Sequence, residues 1–230
     1  MHGVLLVDKP SGWTSFDVVN YVRKIVAVEE GKKPKNCKVG HTGTLDPLAT
    51  GLLVLLVGKD YTRRAGELSK HDKTYEVTMK LGETSTTGDD EGEKTPVDSH
   101  IPDETEIKAA LQKFLGEIMQ TPPAYSAIKI NGQKAYELAR KGREVVLEPR
   151  PVTIYNIRQA TYQYPEVTFI CDVSSGTYIR SLVQDVGEAL ATGAYMSALR
   201  RTRVGDYPLE KALQIEGLSA EILKSHLLER

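Results

Sequence analysis

The sequence predicts an α+β fold, on three observations. Residues 74 to 81 alternate, with Tyr75, Val77, Met79 and Leu81 on one face, as a half-buried strand does. Ile179, Leu182, Val183, Val186 and Leu190 fall at helical spacing along one stripe. Segments of the two kinds interleave without the regular strand–helix–strand alternation that builds a parallel sheet.

In chain order, the Val4-Leu5-Leu6-Val7 run reads as a buried strand ended by Pro10 and Gly12. Thr14 or Ser15 caps a following helix whose inner face carries Val18, Val22 and Ile25. Residues 29 to 38 are a lysine-rich loop, and a low-charge segment from Val39 to Gly51 leads into an apolar strand, Leu52 to Val57. Beyond the alternating strand, Gly82 to His100 is polar and acidic, a long solvated connection. Residues 104 to 115 form an amphipathic helix with Ile107, Leu111 and Leu115 in line. Asn131-Gly132 between strand-like flanks signals a hairpin, and the helix from Ala135 to Lys141 is stopped by Gly142. Val152 to Tyr162 and Glu166 to Val173 are two more strands joined near Pro165, with one further strand-like piece around Val204 and short C-terminal helices.

At 230 residues, with 40% hydrophobic and 27% charged residues, the composition is that of an ordinary globular protein. No apolar run approaches the roughly 18 to 20 residues of a membrane helix. Asp8 arrives too early for a signal peptide, and the distant Cys37 and Cys171 imply no disulfide framework, so the expected location is the cytoplasm. Cys37 and His41 lack a second ligand pair, which argues against zinc. Thirty Lys and Arg against 31 Asp and Glu give no overall attraction to phosphate. The charges are segregated, however. Basic clusters stand at Lys32, Lys33, Lys35 and Lys38, at Arg63 and Arg64, at Lys134, Arg140, Lys141 and Arg143, and at Arg200, Arg201 and Arg203. Acids gather at Asp89, Asp90, Glu91 and Glu93. Solvated faces and an RNA-binding side both fit this pattern.

Val39 to Gly51 is the segment with the clearest chemical character. Gly40, Gly43, Gly51 and Pro47 make it irregular, yet Asp46 is its only formally charged residue. Such a loop packs inside or lines a cleft, where a carboxylate is either paired or kept for chemistry. Pro47 biases Asp46 to an extended backbone that presents its side chain; the alternative is that Asp46 only caps the turn. In Ser174 to Ser181 a strand runs into a helix, and Arg180 in its first turn opposes the helix dipole. Its compensating acid is either a buried carboxylate elsewhere or a local one such as Asp185. Tyr75 is either plain core or a flat surface on which a base stacks. GxGxxG, Walker, HExxH and serine-elbow motifs are all absent.

Taken together the motifs resemble the TruB family of tRNA pseudouridine synthases. Gly3 to Gly12 (GVLLVDKPSG) resembles that family's first strand and turn, and Gly40 to Gly51 (GHTGTLDPLATG) its catalytic motif. Lys73-Thr74-Tyr75, Pro122 to Lys129 and Gly176-Thr177-Tyr178-Ile179-Arg180 follow in the family's order, and the likeness runs from residue 3 to about residue 207. The resemblance implies the pseudouridine synthase fold, a mixed, largely antiparallel central sheet with flanking helices. It implies three catalytic residues: Asp46 as the catalytic aspartate, Arg180 as its salt-bridge partner, and Tyr75, stacked on a flipped uracil and assisting proton transfer. His41, Tyr178 and Leu199 would shape the pocket or occupy the space left by the extruded nucleotide, and Lys129 matches a lysine at its edge. The implied substrate is the T-arm uridine at tRNA position 55, gripped by an insert from about Pro123 to Pro151. No cofactor or metal is implied, and a monomer is expected.

The chain departs from the family pattern in four places. It ends at Arg230, where many relatives continue into a PUA domain, so a catalytic domain without PUA is expected. The lysine-rich 29–38 connection is longer than usual, Gly58 to Arg63 carries an extra residue, and Ser175 stands where a lysine is common. Three rivals remain at this level: a non-catalytic tRNA-folding chaperone, a guide-RNA-dependent relative and a glycoside hydrolase. The last needs a second catalytic acid, and none stands out near the motifs.

Overall fold

The computed structural model describes all residues except Ser99, Ala127, Asn131, Arg140, Glu144, Glu229 and Arg230, and describes only the backbone at Lys129, Ile130, Lys134 and Tyr136. Helices flank a large mixed, mostly antiparallel sheet, an α+β architecture as expected. The chain divides into two compact units, Met1–Tyr75 with Leu199–Arg230, and Glu76–Ala198. The strands Lys73–Leu81 and Ala194–Val204 each belong in part to both.

In the first unit Gly3–Lys9 pairs antiparallel with Thr50–Val57 and parallel with Leu213–Gln214. Val39–His41 pairs antiparallel with one end of Thr50–Val57, and Arg200 and Arg201 lie parallel to Thr50 and Gly51 at the other. The two central strands are unbroken apolar runs because both their faces are covered. Leu5, Val7, Leu53 and Leu55 pack with Val18, Val22 and Val26 of the helix Ser15–Glu29. Val4, Leu6, Leu52 and Val54 pack with Leu68, Val204 and Tyr207. Of the two candidate caps, Thr14 is the one used: it accepts from Asp17 N, and the Asp17 carboxylate accepts from Thr14 N.

In the second unit Val77, Met79 and Leu81 are buried at alternate positions as the pattern requires. Arg150–Gln163 and Glu166–Val173 form a long antiparallel pair, with Gly116–Gln120 beside the former. The helix Glu104–Gln112 ends three residues before the expected Leu115 and carries a capping box of Asp103 and Glu106. Lys129–Ile130 pairs with Gln133–Lys134, the hairpin that Asn-Gly signalled, although Asn131 itself lies outside the described residues.

Two expectations are corrected. Gly82 to His100 is not simply a solvated connection: Glu83–Ser85 and Lys94–Pro96 form a ribbon, and Asp89 is buried. The Asp89 carboxylate accepts from the Thr87 hydroxyl and from Glu91 N, which replaces the water it loses. The strand piece around Val204 is the end of the eleven-residue strand Ala194–Val204. Arg201 points inward on it, so a buried cation disguises the apolar alternation. Among the described residues no helix is long and apolar enough to cross a membrane.

Candidate active site

Asp46 opens a turn in which its carbonyl accepts from Ala49 N at 3.1 Å, with Pro47 at the position where its fixed φ suits a turn. The Asp46 side chain is half-buried. Buried groups hold the backbone on both sides of it. Ser15 Oγ donates to the carbonyl of Leu45 at 3.0 Å and accepts from Leu45 N at 2.8 Å. Lys9, 0% exposed, donates from Nζ to the carbonyls of Pro10 (2.9 Å), Trp13 (2.6 Å) and Pro47 (3.2 Å). Gly12 N adds a bond to Pro47 O at 2.9 Å.

Arg201, 1% exposed, secures the earlier part of the loop by donating to Leu52 O at 2.7 Å and Gly43 O at 3.1 Å. Gly51 pairs with Lys9 on one neighbouring strand and with Arg201 on the other. Its φ of +96°, and the 2.3 Å that would separate a Cβ from Arg201 O, explain why glycine is required there. Arg200 reaches Asp8 through two bonds, 2.7 and 3.2 Å, and Gln214 Nε2 binds the same carboxylate. Within this basic cluster Arg201 is therefore a buried structural cation, and the half-exposed Arg200 is paired with Asp8.

Three other residues that the resemblance implies for the site, His41, Tyr75 and Leu199, belong to this unit. Among the described residues, His41 Nδ1 is buried with no hydrogen-bond partner. Burial, and then the Arg201 cation, hold its pKa below the ordinary histidine value, so the ring stays neutral near pH 7. Tyr75 is buried at the start of its strand, and Leu199 is buried with its carbonyl accepting from Thr50 Oγ1 at 3.4 Å. Lys73 beside them is pushed down to about 8, chiefly by burial and secondarily by Arg201. Its Nζ donates to the carbonyls of Ser69 and His71.

Arg180 and Tyr178 belong to the second unit. Arg180 is 6% exposed and donates to Thr87 O at 3.1 Å and Tyr125 O at 2.7 Å. Its guanidinium lies 3.4 Å from Asp89, itself 3% exposed. The reading of Arg180 as a surface residue reaching Asp185 is thereby corrected: its local acid is the buried Asp89. Tyr178 is half-buried and stands at the N-cap of the helix Ile179–Ala189. Gln120 locks that backbone by accepting from Tyr178 N at 2.7 Å and donating to Tyr178 O at 3.1 Å. The side chain of Lys129 lies outside the described residues, as do Arg140 and the side chain of Lys134.

Lys9, Ser15, Arg201, Asp89 and Gln120 support these residues, and no sequence motif marks them as site residues. Their signal is weak because each is a polar residue placed by long-range pairing. Among the described residues no cluster of His, Cys, Asp and Glu could hold a metal ion.

Comparison with known proteins names the class of this arrangement. Residues 30–179 match the TruB family pseudouridylate synthase N-terminal domain, and residues 180–230 match the tRNA pseudouridylate synthase B C-terminal domain. The chain is 46% identical over 220 residues to tRNA pseudouridine synthase B of Burkholderia pseudomallei strain 668, covering 96% of this chain and 70% of that one. It is 45% identical over 239 residues to the Thermobifida fusca strain YX protein of the same name, covering 99% and 78%. The solved structures of a Cbf5-Nop10-Gar1 complex and of an H/ACA RNP bound to a substrate RNA containing 2′-deoxyuridine superpose with TM-scores of 0.69 and 0.67, at 32% and 30% identity. They cover 92% and 94% of this chain, which spans about half the length of those solved chains, 52% in each case. The class is thus the pseudouridylate synthases, which are isomerases. Within it, the chain belongs to the TruB family and is a tRNA pseudouridine synthase.

Proposed function

We propose that the protein isomerises the uridine at position 55 of the tRNA T arm, with Asp46 as the essential carboxylate. The observation that carries the reading is the Asp46 loop. Lys9, Ser15 and Arg201 fix its backbone through carbonyl and amide groups, while the Asp46 side chain is left half-exposed. A reactive group on a rigid support is what positioning a carboxylate against one nucleotide requires. The stacked base is out of reach, so it flips out at a cost of a few kcal/mol, offset by stacking and pocket contacts.

In the reaction the N1–C1′ bond breaks, the uracil turns, and C5 bonds to C1′. N1 gains a proton, and the C5 proton leaves to solvent. Atoms and electrons balance within the nucleotide and water, so the chemistry calls for no redox cofactor. Asp46 acts on the ribose or base to let the glycosidic bond break. By the family motif, Arg180 keeps Asp46 ionised and Tyr75 stacks on the uracil. His41, Tyr178 and Leu199 shape the pocket, Lys129 serves its edge, and residues from about 123 to 151 grip the arm. The protein acts in the cytoplasm as a monomer.

The test is pseudouridine mapping by carbodiimide labelling and primer extension on an unmodified tRNA transcript. A single stop at position 55, lost in a transcript with cytidine there, is expected. Stops elsewhere would move the target, and none from folded protein that binds tRNA would favour a folding chaperone.

A further inference from the structure

Trp13, the only tryptophan of the chain, stands edge to face with Tyr21, with 5.9 Å between ring centroids and 80° between planes. The two rings lie in a groove whose lining includes Gly12, Asn20, Lys24 and Lys35. Phe16 of the same helix is 59% exposed and lies under the Arg23 guanidinium at 5.6 Å. Arg23 donates to Asn20 Oδ1 at 2.7 Å and Val39 O at 3.0 Å, which fixes its guanidinium over the Phe16 ring.

Two acids of this face, Glu29 and Glu30, are held by cations, while Asp17, which also lines the groove, is hydrogen-bonded at the helix start. Asp17 closes the Thr14 capping box, Glu30 holds the N-terminal amine and Lys32, and Glu29 holds Lys224. Lys24, Lys33, Lys35 and Lys38 are exposed, and among the described residues they show no ion pair. Three of these four come from the lysine-rich segment that is longer here than the family pattern leads one to expect. Aromatic rings beside unpaired cations suit a nucleic-acid strand, whose bases stack while its phosphates meet the ammonium groups. The groove also adjoins the Asp46 loop: Gly12 lines it and bonds Pro47 O, and Lys9 ties Trp13 O to Pro47 O.

We infer that this groove is a second contact for the tRNA, taking an unstacked nucleotide against Trp13 and Tyr21 and its flanking phosphates on Lys24 and Lys35. The inference rests on the tRNA reading of the Asp46 site. It is tested on the full chain with an unmodified tRNA transcript, by titrating Trp13 fluorescence and by measuring Kd at several salt concentrations. The doubly substituted Lys24→Gln/Lys35→Gln protein is compared with Lys113→Gln, an exposed lysine in the other unit. Saturable quenching of Trp13 is expected. The double substitution should raise Kd about fivefold to tenfold at 0.1 M salt and lower the log–log salt slope by about 1.5, with Lys113→Gln near the parent. Unchanged Trp13 emission at saturation, an unchanged Kd and slope, or an equal shift in Lys113→Gln would overturn the inference. A parent that quenches on tRNA yet releases no tritium from C5-labelled uridine would instead sink the reading of the Asp46 site and leave the groove standing.

Discussion

The loop around Asp46 and the turn before Arg180 are both irregular backbone, but buried charge works in opposite senses in them. Around Asp46 the cations Lys9 and Arg201 serve the backbone, donating to carbonyls of Pro47, Gly43 and Leu52. At Arg180 the backbone serves a cation, through the carbonyls of Thr87 and Tyr125, with Asp89 as its carboxylate. A buried cation is tolerated only when its donors are satisfied, and backbone oxygens do this without a second charge. The first arrangement leaves Asp46 as the only formal charge between Val39 and Gly51. The second sets a buried carboxylate, Asp89, beside the candidate arginine within its own unit.

Substitutions in each region can break that contrast, the largest expected effect being at Gly51. Gly51→Ala would force a side chain against Arg201 O at a positive φ, and urea unfolding should show a loss on the order of 4 kcal/mol. Asp89→Asn should cost about 3 kcal/mol in the same measurement, because the Arg180 guanidinium loses its Asp89 charge in a buried place. An equal and small cost at both positions would mean that neither region is held as described.

Lys73 sharpens the comparison through pH. Its folded pKa of about 8 lies below the ordinary 10.5, so between those values the unfolded chain binds more proton. The penalty is full below pH 8 and is relieved as pH rises to 10.5, an effect of about 3 kcal/mol. The parent should therefore gain stability relative to Lys73→Met as pH rises through that window, whatever the two hydrogen bonds to Ser69 O and His71 O contribute at pH 7. A constant difference would contradict the burial assigned to Lys73. The smallest effect is expected at Ser15→Ala, about 1 to 2 kcal/mol, since the reciprocal bonds to Leu45 are lost but no charge is uncovered.

The contrast also explains what was legible in the sequence. The strand Lys73–Leu81 and the helix Ile179–Ala189 were legible because local periodicity alone fixes which residues are inside. Asp46 stood out as a lone charge in an irregular segment, and the ordered motifs tied it to Tyr75 and Arg180. The groups that hold these residues did not stand out. Arg201 is 158 residues from Gly43 and Lys9 is 38 from Pro47, separations that only the folded sheet closes. Asp89 sat in an acidic run that composition reads as solvated, and its burial depends on the ribbon formed around it. Arg201 misled twice, by interrupting a strand pattern and by reading as surface charge.

The central claim is that Asp46 performs the chemistry on a support that other residues hold rigid. Its most direct test is tritium release from C5-labelled uridine in tRNA under single-turnover conditions, with the parent and Asp46→Asn matched for tRNA binding. The account predicts release by the parent and a drop of at least about 10³-fold in the variant, with unfolding midpoint and tRNA affinity near the parent's. Release at the parent's rate by Asp46→Asn would contradict it, and would remove Asp46 from the mechanism.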